Sequence, residues 1–135
     1  ACTMNSILKQ FIKHLTVGEN EVVLLDMEAG VEHFGRGVDN SVDLILMIVD
    51  PSFESLKLTK KIQQLGESIG KTVFFVLNKV NGQILPTMLE SIDDQSKVLA
   101  VISEDTEIAR KGLLGNELMM EIPEIHTLAR KILKQ

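Results

Sequence analysis

The sequence predicts an α/β fold: a mostly parallel sheet of about four strands with flanking helices. Three observations carry this. Apolar runs alternate with stretches of helical period, each run is continuously apolar, and no linker or low-complexity tract divides the 135 residues. Continuous apolar runs mark strands buried on both faces, and strands separated by helices pair in parallel through right-handed crossovers. The length suits a single domain, residues 1–135, with an ordinary core.

Residues 4–15 put Met4, Ile7, Leu8, Phe11, Ile12 and Leu15 on one helical face, with Thr3 or Asn5 as cap and Gly18 as stop. Residues 22–27 follow as the first buried strand. Residues 28–41 hold glycines and charged turn-formers without a period and read as a loop with room for a short helix. Residues 43–49 are the second strand, ending at Asp50-Pro51. Ser52 then caps a helix that turns Phe53, Leu56, Ile62, Leu65 and Ile69 inward and closes at Gly70. Residues 72–77 form the third strand, tipped by Asn78-Lys79. Asn81-Gly82 turns into a helix through Ile84, Leu85, Met88, Leu89 and Ile92, with Pro86 in its first turn, where a missing N–H costs little. Residues 97–102 are the fourth strand. Ser103 opens a short helix with Glu104 and Asp105 in its first turn. From Pro123 a last helix buries Ile125, Leu128, Ala129, Ile132 and Leu133.

Composition excludes several function classes. Five Phe and no Tyr or Trp leave an aliphatic core. A net charge of −5 argues against nucleic acid, where affinity rests on phosphate neutralisation, and against a polybasic membrane surface. No apolar run approaches the ~18 residues of a transmembrane helix. A single cysteine excludes an internal disulfide framework and fits a cytoplasmic location. A chain opening on Ala1-Cys2 is expected to be a processed, tagged or truncated product.

The chemistry concentrates in residues 21–37. The run Val22-Val23-Leu24-Leu25 delivers the acidic pair Asp26 and Glu28, and Gly30, His33, Arg36 and Gly37 follow at once. A buried strand ending in carboxylates and turning on glycine presents acidic groups to a metal–phosphate ligand at a sheet edge. The same residues also fit an ordinary acidic strand end facing water.

The runs DMEAGVEHFGRG, VDLILMIVDPS and VFFVLNKV together resemble the C-terminal half of the CooC-type nickel-insertion accessory ATPases of carbon monoxide dehydrogenase. These are MinD/ParA-like members of the P-loop (SIMIBI-type) NTPases with a deviant Walker A loop. The resemblance covers nearly the whole chain. It implies that Asp26 is the Walker B aspartate, holding Mg²⁺ through water opposite the β- and γ-phosphates, with Glu28 on the same face. It implies that Gly30 is the switch glycine whose N–H senses the γ-phosphate, although a turn glycine would look the same. His33 and Arg36 share that loop and fit either nucleotide sensing or plain surface roles. Asn78 matches the residue that hydrogen-bonds the adenine edge, for which an amide offers both donor and acceptor; a strand-end turn former is the competing reading. Residues 103–108 fall where the family's second base-contacting loop lies. Cys2 aligns with the second cysteine of a Cys-x-Cys pair that, doubled across a dimer, would hold nickel or zinc in four thiolates. One cysteine per chain supplies only two, and an ordinary thiol fits as well.

No G-x-x-x-x-G-K-[ST] loop occurs in the 135 residues. Gly70-Lys71-Thr72 is a decoy: Leu65 stands where the first glycine belongs, and the segment leads into a strand, not into a helix N-terminus. ATP hydrolysis with Mg²⁺ is therefore expected of the parent family and not of these residues alone. The phosphate-loop strand would lie between strands 22–27 and 43–49, so those two are expected either to pair directly or to leave a gap for another chain, with self-association the outcome. Carbon monoxide dehydrogenase is the further partner implied. The alternatives are a non-catalytic dimerisation or docking module, or half of another MinD/ParA-like ATPase.

Overall fold

A computed structural model describes residues 10–12, 14–27 and 42–134. Three parallel strands form one sheet in the order β1 (Ile45–Val49), β2 (Val73–Val80), β3 (Val98–Ser103). Around it lie α1 (Phe53–Ser68), α2 (Leu85–Glu90), α3 (Thr106–Leu114) and α4 (Pro123–Ile132). The predicted α/β class and the parallel pairing stand. Among the described residues, 22–27 does not join the sheet: it is irregular, with Val22, Val23 and Leu24 at 59%, 46% and 83% exposure. Of the two outcomes expected for it, direct pairing with β1 is therefore not the one found. Residues 10–12 and 14 are helical, in line with the predicted first helix; the rest of that helix's N-terminal part lies outside the described residues.

The sheet's two faces carry separate cores. On one, Val49, Val73, Phe75 and Leu77 pack with Ile62 of α1 and Met88 of α2. On the other, Val76 and Leu99 pack with Leu128 of α4. The alternation follows from strand geometry, since successive side chains point to opposite faces. A register shift between Phe75/Val76 sets two residues of β3 against one of β2, which puts Val98 and Val101 on the first face and Leu99, Ala100 and Ile102 on the second.

Local chemistry sets the helix ends. Ser52 caps α1 by accepting from the Ser55 N–H. Gly70, at φ +68°, ends the turn that follows α1, with the Lys71 N–H reaching back to the Gly66 carbonyl at 2.8 Å. That fixes Gly70-Lys71-Thr72 as a helix exit running into β2, as a decoy should be. Thr59, almost fully buried, sets its hydroxyl 2.8 Å from the carbonyls of Leu56 and Ser91, its single proton shared between them, and so ties α1 to the end of α2.

Three expectations are corrected. Phe53, the first residue of α1, is exposed and absent from both cores, since a helix's first turn need not overlie the sheet; Lys57 Nζ stands 5.9 Å from its ring centre. Asp105, not Ser103, caps α3, accepting from the N–H groups of Glu107 and Ile108, while Ser103 remains in β3. In α4 only Leu128 is buried, with Ile132 packed beside it. Ile125, Ala129 and Leu133 face outward, since one sheet face of three strands covers only a narrow stripe of the helix.

Candidate functional site

The carboxyl ends of β1 and β2 meet in a small polar cluster. Asp50, the residue after β1, accepts from Asn78 Nδ2 at 2.9 Å on one oxygen and from Lys79 Nζ at 2.6 Å on the other. Its own N–H donates to Ser55 Oγ at 3.1 Å, so the carboxylate sits on the junction where β1 stops and α1 begins. Ligands of open parallel sheets bind at this end of the strands.

Two consecutive residues should not reach one carboxylate from a regular strand, because their side chains leave opposite faces. Lys79 solves this with a left-handed backbone, φ +55°, the one such non-glycine conformation among the described residues. The β2–β3 register shifts at the same place, between Leu77/Val80. A left-handed non-glycine residue costs on the order of 1–3 kcal/mol and persists where its surroundings hold it. Here the lysine's bond to Asp50 and the Glu104 N–H donating to the Val80 carbonyl at 2.9 Å hold it.

The electrostatics agree. Burial pushes the Asp50 carboxyl up, but the hydrogen bonds from Lys79 and Asn78 and the lysine charge together outweigh it, leaving the group below the ordinary carboxylate value. Asn78 is half-buried. It spends one amide N–H on Asp50, and its Oδ1 has no hydrogen bond among the described residues.

The other predicted residues are not brought to this cluster. Asp26 is exposed, with no hydrogen bond or ion pair among the described residues. Glu28, Gly30, His33, Arg36 and Cys2 lie outside the described residues. Among those described, no group of three or more His, Cys, Asp or Glu side chains could hold a metal ion, and no helix is long and apolar enough to cross a membrane. Residues 103–108 form the turn from β3 into α3 beside the Asn78 tip, joined to β2 through the Glu104–Val80 bond. Asp50 is the residue that sequence reasoning passed over. An aspartate directly after a buried strand, one strand from Asn-Lys at an equivalent tip, was the available signal.

Comparison with known proteins places this edge in context. An ATP-binding protein of Methanocaldococcus jannaschii, itself uncharacterized, is 44% identical over 134 residues, 99% of this chain and 53% of the relative. A second ATP-binding protein of that organism is 32% identical over 123 residues, 89% of this chain and 48% of the relative. The carbon monoxide dehydrogenase accessory protein CooC of Rhodospirillum rubrum is 32% identical over 115 residues, 84% of this chain and 44% of the relative. The chain is homologous to the CooC-like ATP-binding proteins. The relationship carries with it the P-loop NTPase fold, of which this parallel sheet with flanking helices is a part. No family model matches. The chain spans about half the length of the curated relatives it matches.

Proposed function

We propose that these residues form the base-contacting and Mg²⁺-facing half of an ATP-binding fold, and that the whole protein couples nucleotide state to nickel delivery into carbon monoxide dehydrogenase. The observation that supports it is Asn78: a half-buried amide at the carboxyl edge of a parallel sheet, held by Asp50 with its carbonyl oxygen uncommitted, in a chain homologous to ATP-binding proteins. A purine edge offers the donor that this oxygen lacks and an acceptor for the remaining amide proton.

In this reading Asp26 supplies a carboxylate to Mg²⁺ through water, Glu28 supports it, and the Gly30 N–H faces the γ-phosphate. The bound magnesium–nucleotide would supply the electrophilic phosphorus, with charge neutralised by the metal. Cys2 offers one thiolate to the metal cargo at an interface between two copies. Phosphoryl transfer is catalysed mostly by positioning and charge stabilisation, and the phosphate loop gives most of both. The 135 residues on their own therefore neither hydrolyse ATP nor bind it tightly.

Calorimetry with Mg-ATP on this chain is expected to show binding weaker than micromolar and no phosphate release; micromolar affinity refutes the claim. In a chain completed with the other half of the Methanocaldococcus relative, Asp26→Asn should lower phosphate release by at least about tenfold, as loss of a metal-positioning carboxylate does. Unchanged turnover would remove Asp26 from the metal.

The exposed Val22, Val23 and Leu24 favour a second reading, a docking or self-association module without catalysis. Light scattering separates them: a monomer at high concentration counts against docking through this run. A third reading, half of a MinD/ParA-like ATPase serving positioning or transport, is separated from nickel delivery by whether a dehydrogenase gene lies beside this one.

A further inference from the structure

We propose that Asp50 is the positioning residue of the base site: by accepting the Asn78 amide N–H it holds Asn78 Oδ1 outward as an acceptor, so that the site selects purines carrying a donor at position 6. This rests on the reading of Asn78 as a base contact.

The orientation of an asparagine amide is ordinarily ambiguous, because its oxygen and nitrogen ends have the same shape. Next to an ionised carboxylate it is not. A carboxylate only accepts, so the end of the Asn78 amide within 2.9 Å of Asp50 Oδ1 must be the nitrogen, and the oxygen must face away. Among the described residues nothing bonds that oxygen. What the site then offers a ligand is one acceptor and one remaining N–H, in fixed order.

Asp50 is itself held at each end. Its N–H is bonded to Ser55 Oγ at 3.1 Å, its carbonyl accepts from the Ser52 N–H at 2.7 Å, and its second carboxylate oxygen is taken by Lys79 Nζ. Both carboxylate oxygens are thus engaged, one by Asn78 and the other by Lys79. The left-handed backbone at Lys79 and the register shift beside it are what bring both donors to one carboxylate. An adjacent exposed pair would need neither.

The chemistry discriminates at one atom. Adenine presents an amino group at position 6 and hypoxanthine and guanine present a carbonyl oxygen there, which faces an outward Oδ1 as acceptor against acceptor. A freely turning amide would satisfy either by flipping. Asp50 removes that freedom.

The test is an NMR titration of the 135-residue chain with adenosine and with inosine, which differ at position 6 and need no phosphate loop. The wild-type chain is expected to bind adenosine about fivefold tighter than inosine, the scale of one hydrogen bond gained or lost. Asp50→Ala should bring the two within about twofold, chiefly by weakening adenosine, with the Asn78 side-chain amide resonances losing their distinct shift. Should Asp50→Ala fail to fold, Asp50→Asn serves instead: its amide can present either end to Asn78, and the preference should again collapse. A preference that survives loss of the carboxylate overturns the proposal. A wild-type chain that binds neither nucleoside overturns the base-contact reading itself, and the proposal with it.

Discussion

Residues 22–27 and β2 carry nearly the same signal and meet opposite ends. The runs 22–25 and 73–77 are each continuously apolar, and each is followed by a polar side chain, Asp26 and Asn78. Phe75, Val76 and Leu77 of β2 are fully buried, whereas Leu24 is 83% exposed. The difference is neighbours. β2 has β1 bonded on one side and β3 on the other, and a helix-backed core on each face. Residues 22–27 have no strand partner among the described residues. A continuously apolar run therefore states what a segment requires, namely pairing on both edges and cover on both faces; it does not supply them.

The contrast breaks most sharply under truncation. Phe75→Ala removes a fully buried ring from the centre of the sheet and should cost about 3–5 kcal/mol. Leu24→Ala, in a run of equal hydrophobicity, should change stability by less than about 0.5 kcal/mol. Urea unfolding of both variants checks the pair. A cost for Leu24→Ala near that of Phe75→Ala would mean that residues 22–27 are covered in solution, by a second copy or another chain.

A smaller effect sharpens the account of how β2 is covered. Gly66 lies on the buried side of α1, and a Cβ there would stand 2.4 Å from Val73 Cγ2 and 3.0 Å from the Lys71 carbonyl oxygen. Val73 is buried and β-branched, so it has little freedom to turn aside. Gly66→Ala gains up to about 1 kcal/mol of helix propensity and loses more to overpacking, a net cost of about 1–2 kcal/mol. Thermal melting should register this as a lowered midpoint, and an unchanged midpoint would show that α1 can lift from the sheet without penalty. The helix approaches β2 at the one position where the sequence omits a side chain.

These cases mark what the sequence could and could not carry. β1, β2, β3 and the helices α1, α2 and α4 were legible because their apolar spacing and their punctuation at Ser52, Gly70, Asn81 and Pro123 agree. The exposed side of Phe53 and the outward Ile125 and Leu133 were not, because periodicity gives a helix's apolar stripe but not how wide a sheet lies beneath it. Asn78 was singled out by resemblance, and the structure places it at the tip of β2, bonded to Asp50. Asp50 was not, since its partners stand 28 and 29 residues along the chain and meet it only through β1–β2 pairing and the left-handed turn at Lys79. The acidic segment after residue 27, which dominates the sequence chemically, lies outside the described residues.

The smallest effect compares the two strand tips through pH. The Asp50 carboxyl is held below the ordinary value of about 3.9, burial opposing the shift and the bonds from Lys79 and Asn78 overriding it. A carboxylate with a depressed folded-state pKa adds stability that is complete above its unfolded value and is lost as pH falls through the folded one. The bonded tip of β1 should therefore contribute at pH 7 and at pH 5, and fade below about pH 4. Its side chain is 41% exposed, so solvent screening keeps the contribution within the range of a surface pair, below about 1 kcal/mol. Urea midpoints of the wild-type chain and Asp50→Asn, measured from pH 7 to pH 3, should differ most at the upper end and converge at the lower. Raising salt should shrink the difference at neutral pH, leaving the part due to the neutral Asn78 bond. A gap that persists unchanged to pH 3 would mean that the carboxylate charge does not hold Lys79 in its left-handed conformation, and that the strand–helix junction alone shapes the tip.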